Sequence, residues 1–291
     1  PKEFRSDEVT ATTDIGALVP SVTLNKIIEK LEAYGMILPL VTRTAYKTGM
    51  VIPTASVKPT ATWVAEGAGS DKQKKALSGT ITFGHFKLRC AVAVTLETEN
   101  MAYSAFETTL VKNIVEAMAK ALEMAIISGT GSGQPTGILT DDSKGAKLKV
   151  SALDYQTLIN AEAELPMEYE NGAVWVMTKK TFMQFIGMVD KNGQPIARVN
   201  YGIGGKPERI LLGRTVKLTN YIDTFNESLG AGKVFAFLYN FADYTLNTNF
   251  QIGIKTYEDN DTDDIIRKMI MVCDGKPIIY DSLVKLVKAG E

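Results

Sequence analysis

The run from Ser104 to Leu139 constrains this chain most: SAFETTLVKNIVEAMAKALEMAIIS is followed at once by GTGSGQPTGIL. Phe106, Leu110, Val111, Ile114, Val115, Met118, Leu122, Ala125 and Ile126 recur at steps of three and four, which places them on one side of a 3.6-residue helix. Lys112, Asn113, Glu116, Lys120 and Glu123 fall on the other side, with Glu116 and Lys120 spaced to pair along an exposed surface. Ser104 and Glu107 have capping-box spacing and predict the start. Gly129, Gly131 and Gly133 predict the stop, because glycine takes a left-handed cap without a steric penalty. About 23 residues at about 1.5 Å each make a rod of about 35 Å. Such a rod exceeds the usual globular helix and predicts a scaffold element.

The chain has 291 residues, long for one core, which predicts one large or two smaller domains. With 45% apolar and 22% charged residues it has the composition of an ordinary folded protein. A net charge of -1 argues against a protein built to grip nucleic acid, because displacing counterions from phosphates needs a basic surface. Any contact with DNA is expected to be loose. Cys90 and Cys273 lie in apolar runs and predict reduced, buried thiols in a chain that assembles in a cytoplasm. The sequence holds no apolar run of about 18 residues and no basic-then-apolar leader, so a soluble protein is expected.

In chain order, residues 1–19 read as a polar extended arm, and Pro20 and Ser21 open a short helix that stops at Gly35. From Thr44 to Leu96 the period becomes that of strands. Pro53 and Pro59 mark edge or exposed strands, and WVAEGAGSDKQKKALSG predicts the tip of a long hairpin. Phe86, Leu88, Cys90, Val92, Val94 and Leu96 alternate with polar or small residues as a half-buried strand, while Ile81 and Phe83 stand in the opposite phase. That slip at Gly84 predicts a bulge in the returning strand of the hairpin. A two-stranded ribbon is marginally stable in water, so something outside the chain is expected to cover it.

Residues 151–257 read as an α/β unit. Ser151 and Asp154 cap a helix carrying Leu158 and Ile159, AVWVM at 173–177 is a strand, and Thr178 starts a helix with Phe182, Phe185, Ile186 and Val189. DKNGQP at 190–195 is an exposed reversal, and strands at Ile210–Leu212, Val234–Leu238 and Gln251–Tyr257 complete the unit. The acidic stretch 258–264 separates it from IIRKMIMVC and PIIYDSLVKLV, which DGKP joins as a turn.

No catalytic, cofactor or metal constellation emerges, and an enzyme is not expected. One histidine, His85, cannot build a multi-histidine site. GTGSGQPTG fits neither phosphate-loop pattern, and it follows a helix instead of opening one. Ser132 lacks the GxSxG setting of a hydrolase nucleophile. In the acidic loop Asp264 stands where a calcium loop needs glycine, and Ile270 where it needs glutamate. What remains is an arm, a projecting hairpin and a rigid helix, the parts of a protein whose contacts lie between copies of itself.

These segments resemble, in order, those of the major capsid proteins of tailed bacteriophages with the Hong Kong 97 fold. ATWVAEGA at 61–68, with Trp63 and Glu66, is similar to the family's extended-loop segment, and FGHFKLRCAVAVTLE to the strand that returns from it. FETTL onward is similar to the spine helix and GTGSGQPTGIL to the turn that ends it. VWVMTKKTF, DKNGQPI, ILLGRTVKLTN and CDGKPIIYDSLVKL resemble segments of the axial and peripheral domains. The resemblance implies an α+β fold with an N-terminal arm (1–20) and an extended β-hairpin loop (46–90). It also implies a peripheral domain (21–45, 91–144 and 258–291, with the spine helix at about 105–127) and an axial α/β domain (145–257).

In function, the resemblance implies pentamers and hexamers in an icosahedral virion shell, assembled in the bacterial host cytoplasm around loosely held double-stranded DNA. Portal, scaffold or protease, and decoration proteins are the implied partners, with no membrane. Pro1 is then a terminus left by a prohead protease, or by engineering. Candidate inter-subunit contacts are Trp63, Glu66, Lys72, Lys74, Lys75 and Arg89. Some relatives cross-link an extended-loop lysine to a neighbouring asparagine, for which Lys58, Lys72, Lys74 and Lys75 are the available donors. The same fold also serves encapsulin-like compartments that package an enzyme; residues 1–19 favour the phage, since they read as an arm and not as the N-terminal helix that roofs a cargo groove.

Overall fold

The structure is a computed structural model that describes residues 36–46, 50–55, 61, 63–66, 77–94, 103–189, 209–248, 253–258 and 265–290. The expected arm, the helix after Pro20, the 190–195 reversal and the acidic stretch 259–264 lie outside the described residues. Helix α1, Tyr103–Ser128, runs 26 residues and is the axis of the fold. Its described residues begin at Tyr103. Ile114, Val115, Met118, Leu122 and Ile126 are buried, as the three- and four-residue steps require. Glu116 and Lys120 pair on the outer side at 2.7 Å.

Glu123 corrects the expected exposed face. It is 7% exposed, and its Oε1 accepts the Ile37 N–H at 2.7 Å and the Leu38 N–H at 3.4 Å. A carboxylate receiving backbone donors forms a charge-assisted bond, which here ties the 3-10 turn Leu38–Leu40 to the helix.

Two sheets flank α1. The first has five strands: β1 (Thr42–Thr44), β4 (Phe86–Val94), β10 (Tyr244–Thr248), β11 (Gly253–Glu258) and β12 (Ile265–Pro277). The long β12 organises it, pairing antiparallel with β4 over residues 265–273, with β11 over 265–270 and with β10 over 273–277. The second has six strands in the order β5-β13-β9-β6-β8-β7. These are β5 (Ala146–Val150), β6 (Ala173–Met177), β7 (Ile210–Leu211), β8 (Arg214–Leu218), β9 (Val234–Asn240) and β13 (Val284–Lys288). Alternation along β6 divides the core. Val174 and Val176 pack with α1 and the five-stranded sheet, whereas Ala173, Trp175 and Met177 pack with α2 (Tyr155–Ala163) and α3 (Lys179–Ile186) on the opposite face. The layers are therefore five-stranded sheet, α1, six-stranded sheet, then α2 and α3. Asp154 caps α2 by accepting from Thr157 N–H, and Thr178 caps α3 by accepting from Thr181 N–H.

Strand membership departs from the sequence expectation in four places. The segment expected at 251–257 forms β11 in the five-stranded sheet, not in the α/β unit, and β13 from the C-terminal pair joins the six-stranded sheet. The returning strand is divided. β3 (Leu77–Thr82) pairs with β2 (Val51–Ala55), while β4 leaves at residues 83–85 for β12. The phase slip at Gly84 thus marks a change of sheet, and the register shift of the ribbon falls at Thr54 and Ala55. DGKP, finally, is not a turn: Asp274, Gly275, Lys276 and Pro277 continue β12 opposite β10. Buried Asp274 accepts from Gly84 N–H at 2.6 Å and from Gly275 N–H at 2.8 Å, which holds the point where β3 passes into β4.

Gly275 is needed there because the Tyr244 ring takes the space of a side chain: an added Cβ would stand 2.5 Å from the tyrosine oxygen. Gly275→Ala is expected to destabilise the subunit by about 2 kcal/mol, within the range of core overpacking. A urea titration checks this, with a lower midpoint at unchanged slope.

The glycine loop closes the C-terminus of α1. Ile138 and Leu139 donate N–H groups to the carbonyls of Ile126 and Ile127 at 2.8 and 2.9 Å, and Gly137 donates to Gly129 at 2.7 Å. These satisfy carbonyls that a helix end leaves without partners. Gly129 does not adopt the expected left-handed cap; the left-handed glycines of the loop are Gly131 and Gly133. Gly129 is required by closeness instead, since its Cβ would lie 2.3 Å from the Pro135 oxygen. The loop is also tied to the five-stranded sheet by Thr136 N–H to the Gly275 carbonyl at 2.8 Å and by the Tyr244 hydroxyl to the Thr136 carbonyl at 3.0 Å.

Candidate assembly surfaces

The ribbon β2–β3 is a two-stranded sheet with no third strand among the described residues. It leaves the body where Phe83 N–H donates to the Met50 carbonyl at 2.9 Å. Beyond its far end Trp63 is 104% exposed, with Val64 and Glu66 also exposed. A fully exposed indole is a large apolar surface left to water, and such residues gather at contact sites between proteins. Val51 on the ribbon and Tyr46 before it are exposed in the same way.

The sequence candidates divide accordingly. Trp63 and Glu66 lie in the segment that joins β2 to β3, whereas Arg89 stands exposed in β4 on the five-stranded sheet. Lys58, Lys72, Lys74 and Lys75 lie outside the described residues. Met167, 86% exposed at the 3-10 turn Met167–Tyr169, was not singled out by the sequence. The signal available there was Pro166 followed by Met167 among glutamates.

In the glycine loop the backbone donors of Gly137, Ile138 and Leu139 are spent on the end of α1. His85 is exposed between β3 and β4. Among the described residues no three His, Cys, Asp or Glu side chains gather to hold a metal, Cys90 and Cys273 are free thiols, and no helix is long and apolar enough to cross a membrane.

The sequence model of the phage capsid family matches residues 16–288. The chain belongs to the phage capsid family. Its role is that of a structural shell protein of bacteriophage type. Over 109 residues it is 36% identical to the major capsid protein of Escherichia phage T5, a match spanning 35% of this chain and 24% of that one. The chain thus aligns with about a quarter of the length of that curated relative. Its fold is similar to the capsid of a native GTA particle computed with C5 symmetry, at TM-score 0.72 and 18% identity, covering 98% of this chain and 96% of that chain. It is also similar to a structure from Gordonia phage Cozz at TM-score 0.66 and 14% identity, covering 88% and 87%.

In this phage capsid family member the core strands β9, β10 and β12 hold titratable groups whose charged forms burial disfavours. Burial pushes the Tyr239 and Tyr244 phenols up from 10.0 and the Cys273 thiol from 9.0 to about 12. A pKa raised by folding gives stability that is fully present below the unfolded value and is lost as pH rises towards the folded one. Lys285 acts in the opposite sense. Enclosed in β13 with its Nζ on the Asp141 and Asp142 carbonyls at 3.2 Å, it has a pKa lowered by burial, so its contribution improves as pH rises. Burial raises Tyr221 and Tyr280 as well, so the groups that lose with rising pH outnumber Lys285, and the subunit is expected to lose thermal stability progressively above about pH 10. Melting curves from pH 8 to 11 check this; a midpoint constant across that range would contradict it.

Proposed function

We propose that this chain is the major capsid subunit of a tailed bacteriophage, with a Hong Kong 97-like fold, and that it self-assembles as pentamers and hexamers into an icosahedral shell enclosing double-stranded DNA. The observation that carries the reading is the β2–β3 ribbon: a pair of strands without a third among the described residues, with a fully exposed Trp63 in the segment that joins them. Such a ribbon is marginal alone and gains most by lying on another subunit. The family membership and the likeness to capsid structures support the same reading.

The proposed units follow the sheets. The peripheral unit is α1 with the five-stranded sheet, the axial unit is the six-stranded sheet with α2 and α3, and the extended loop is the ribbon with its tip. Residues 1–20 are the proposed arm. Five- and sixfold rings form around the axial units, and the ribbon covers a neighbour. A net charge of -1 suits a wall that must not retain the genome during filling and ejection. Portal, scaffold or protease and decoration proteins are the further partners, and assembly takes place in the host cytoplasm.

The test is sedimentation of the purified chain under assembly conditions. The reading expects particles far larger than any small oligomer; a chain that stays monomeric at every salt and pH would overturn it. Denaturing gels of mature particles address the cross-link: a ladder of covalent multimers identifies Lys58, Lys72, Lys74 and Lys75 as donors to test, and monomer bands alone exclude the chemistry.

A further inference from the structure

The outer face of the five-stranded sheet is built against its own electrostatics. The strand register turns Leu88, Cys90, Met269 and Met271 inward to α1. The alternate residues therefore face away: Lys87 and Arg89 of β4, Lys268 of β12 and Lys255 of β11. Lys255 stands directly opposite Lys268, and like charges opposed across antiparallel strands are destabilising. Among the described residues no carboxylate pairs with any of these four cations. Lys268 instead places its Nζ 5.5 Å from the centroid of the Tyr257 ring. Half-buried Ile266, Ile270 and Val272 of β12 share this face, with Lys268 between Ile266 and Ile270, Arg89 beside Ile270 and Lys87 beside Val272. A face where half-buried apolar side chains alternate with cations fits a protein partner, whereas a surface for nucleic acid is polar and cationic throughout. The complementary surface is therefore acidic and carries an exposed apolar side chain.

The turn Pro166–Glu170 has that chemistry. Met167 stands out from it, with Glu164, Glu168 and Glu170 exposed around it. Arg214 lies behind the turn, donating to the Glu162 carboxylate and the Glu170 carbonyl, with its guanidinium 3.5 Å from the Glu170 carboxylate. Tyr169 packs against the core beneath α2, so the turn is fixed to the outermost layer on the far side of the molecule. It cannot reach the basic face of its own chain.

We propose that the outer face of the five-stranded sheet receives the acidic turn Pro166–Glu170 of a second copy of this chain, with Met167 on Ile266, Ile270 and Val272 and the glutamates against the lysines. The contact joins two different surfaces, so repeating it by rotation closes a ring. It rests on the shell-forming reading, and particle formation by the unaltered chain tests that reading separately.

The contact is tested in shells that have formed. Met167→Cys with Ile270→Cys in one chain gives a ladder of disulfide-linked multimers on oxidation, while each single variant, which retains Cys90 and Cys273, gives none. Intact shells of the double variant that yield only monomers would overturn the proposal. Independently, Arg89→Glu with Lys268→Glu lowers the yield of shells at least about tenfold, the effect of a contact worth about 1.4 kcal/mol, and adding Glu164→Lys with Glu168→Lys restores it. Wild-type yield from the first pair, or no recovery from the second, would overturn it. So would normal shells depleted only in nucleic acid, a result that assigns the face to DNA.

Discussion

Ile114→Asp leaves no folded subunit. Ile114 is 2% exposed at the centre of α1, in the core shared by the helix and both sheets. Removing its aliphatic side chain alone costs about 2–5 kcal/mol. An aspartate there also buries a carboxyl with no polar partner, which adds several kcal/mol or forces the group to stay protonated. The sum is comparable with the whole stability of a domain, about 5–15 kcal/mol. Circular dichroism of the variant is expected to show no cooperative melting transition, with the protein recovered in the insoluble fraction. A soluble variant that melts within a few degrees of wild type would contradict the place of α1 as the axis of the fold.

Trp63→Ala separates assembly from folding. Its indole is 104% exposed, so the melting midpoint is expected to stay within the change that about 0.5 kcal/mol produces. At an interface a tryptophan anchor is worth about 2 kcal/mol or more. One such contact repeated in every subunit of a shell makes the yield of closed particles fall far more than about tenfold. Sedimentation and melting of the same sample read the two effects, and equal loss of both would contradict the assignment.

The helix was readable because its burial is periodic. Ile114, Val115, Met118, Leu122 and Ile126 are where steps of three and four put them, and the caps at Asp154 and Thr178 follow from their residue types. Glu123 was misread because a polar residue on the polar side of a helix does not reveal that a separate segment presents two N–H donors to it. DGKP was misread for a related reason. Its glycine answers to the ring of Tyr244, which is distant in sequence, and not to a local reversal. The pairing of β4 with β12 and of β13 with β5 joins residues more than a hundred positions apart, and alternation along one strand carries no information about its partner. Of the candidate surface, Trp63 and Arg89 were visible as residue types in an exposed pattern. The opposition of Lys255 and Lys268 required the register.

The central claim is that this chain builds a shell around DNA. Negative-stain electron microscopy of purified native material, with the nucleic-acid absorbance ratio of the same fraction, tests it most directly. Closed, uniform shells with a strong nucleic-acid absorbance are the predicted result. Shells free of nucleic acid that carry a co-purifying protein would contradict it in favour of an encapsulin-like compartment, and subunits that never close into particles would contradict the shell itself.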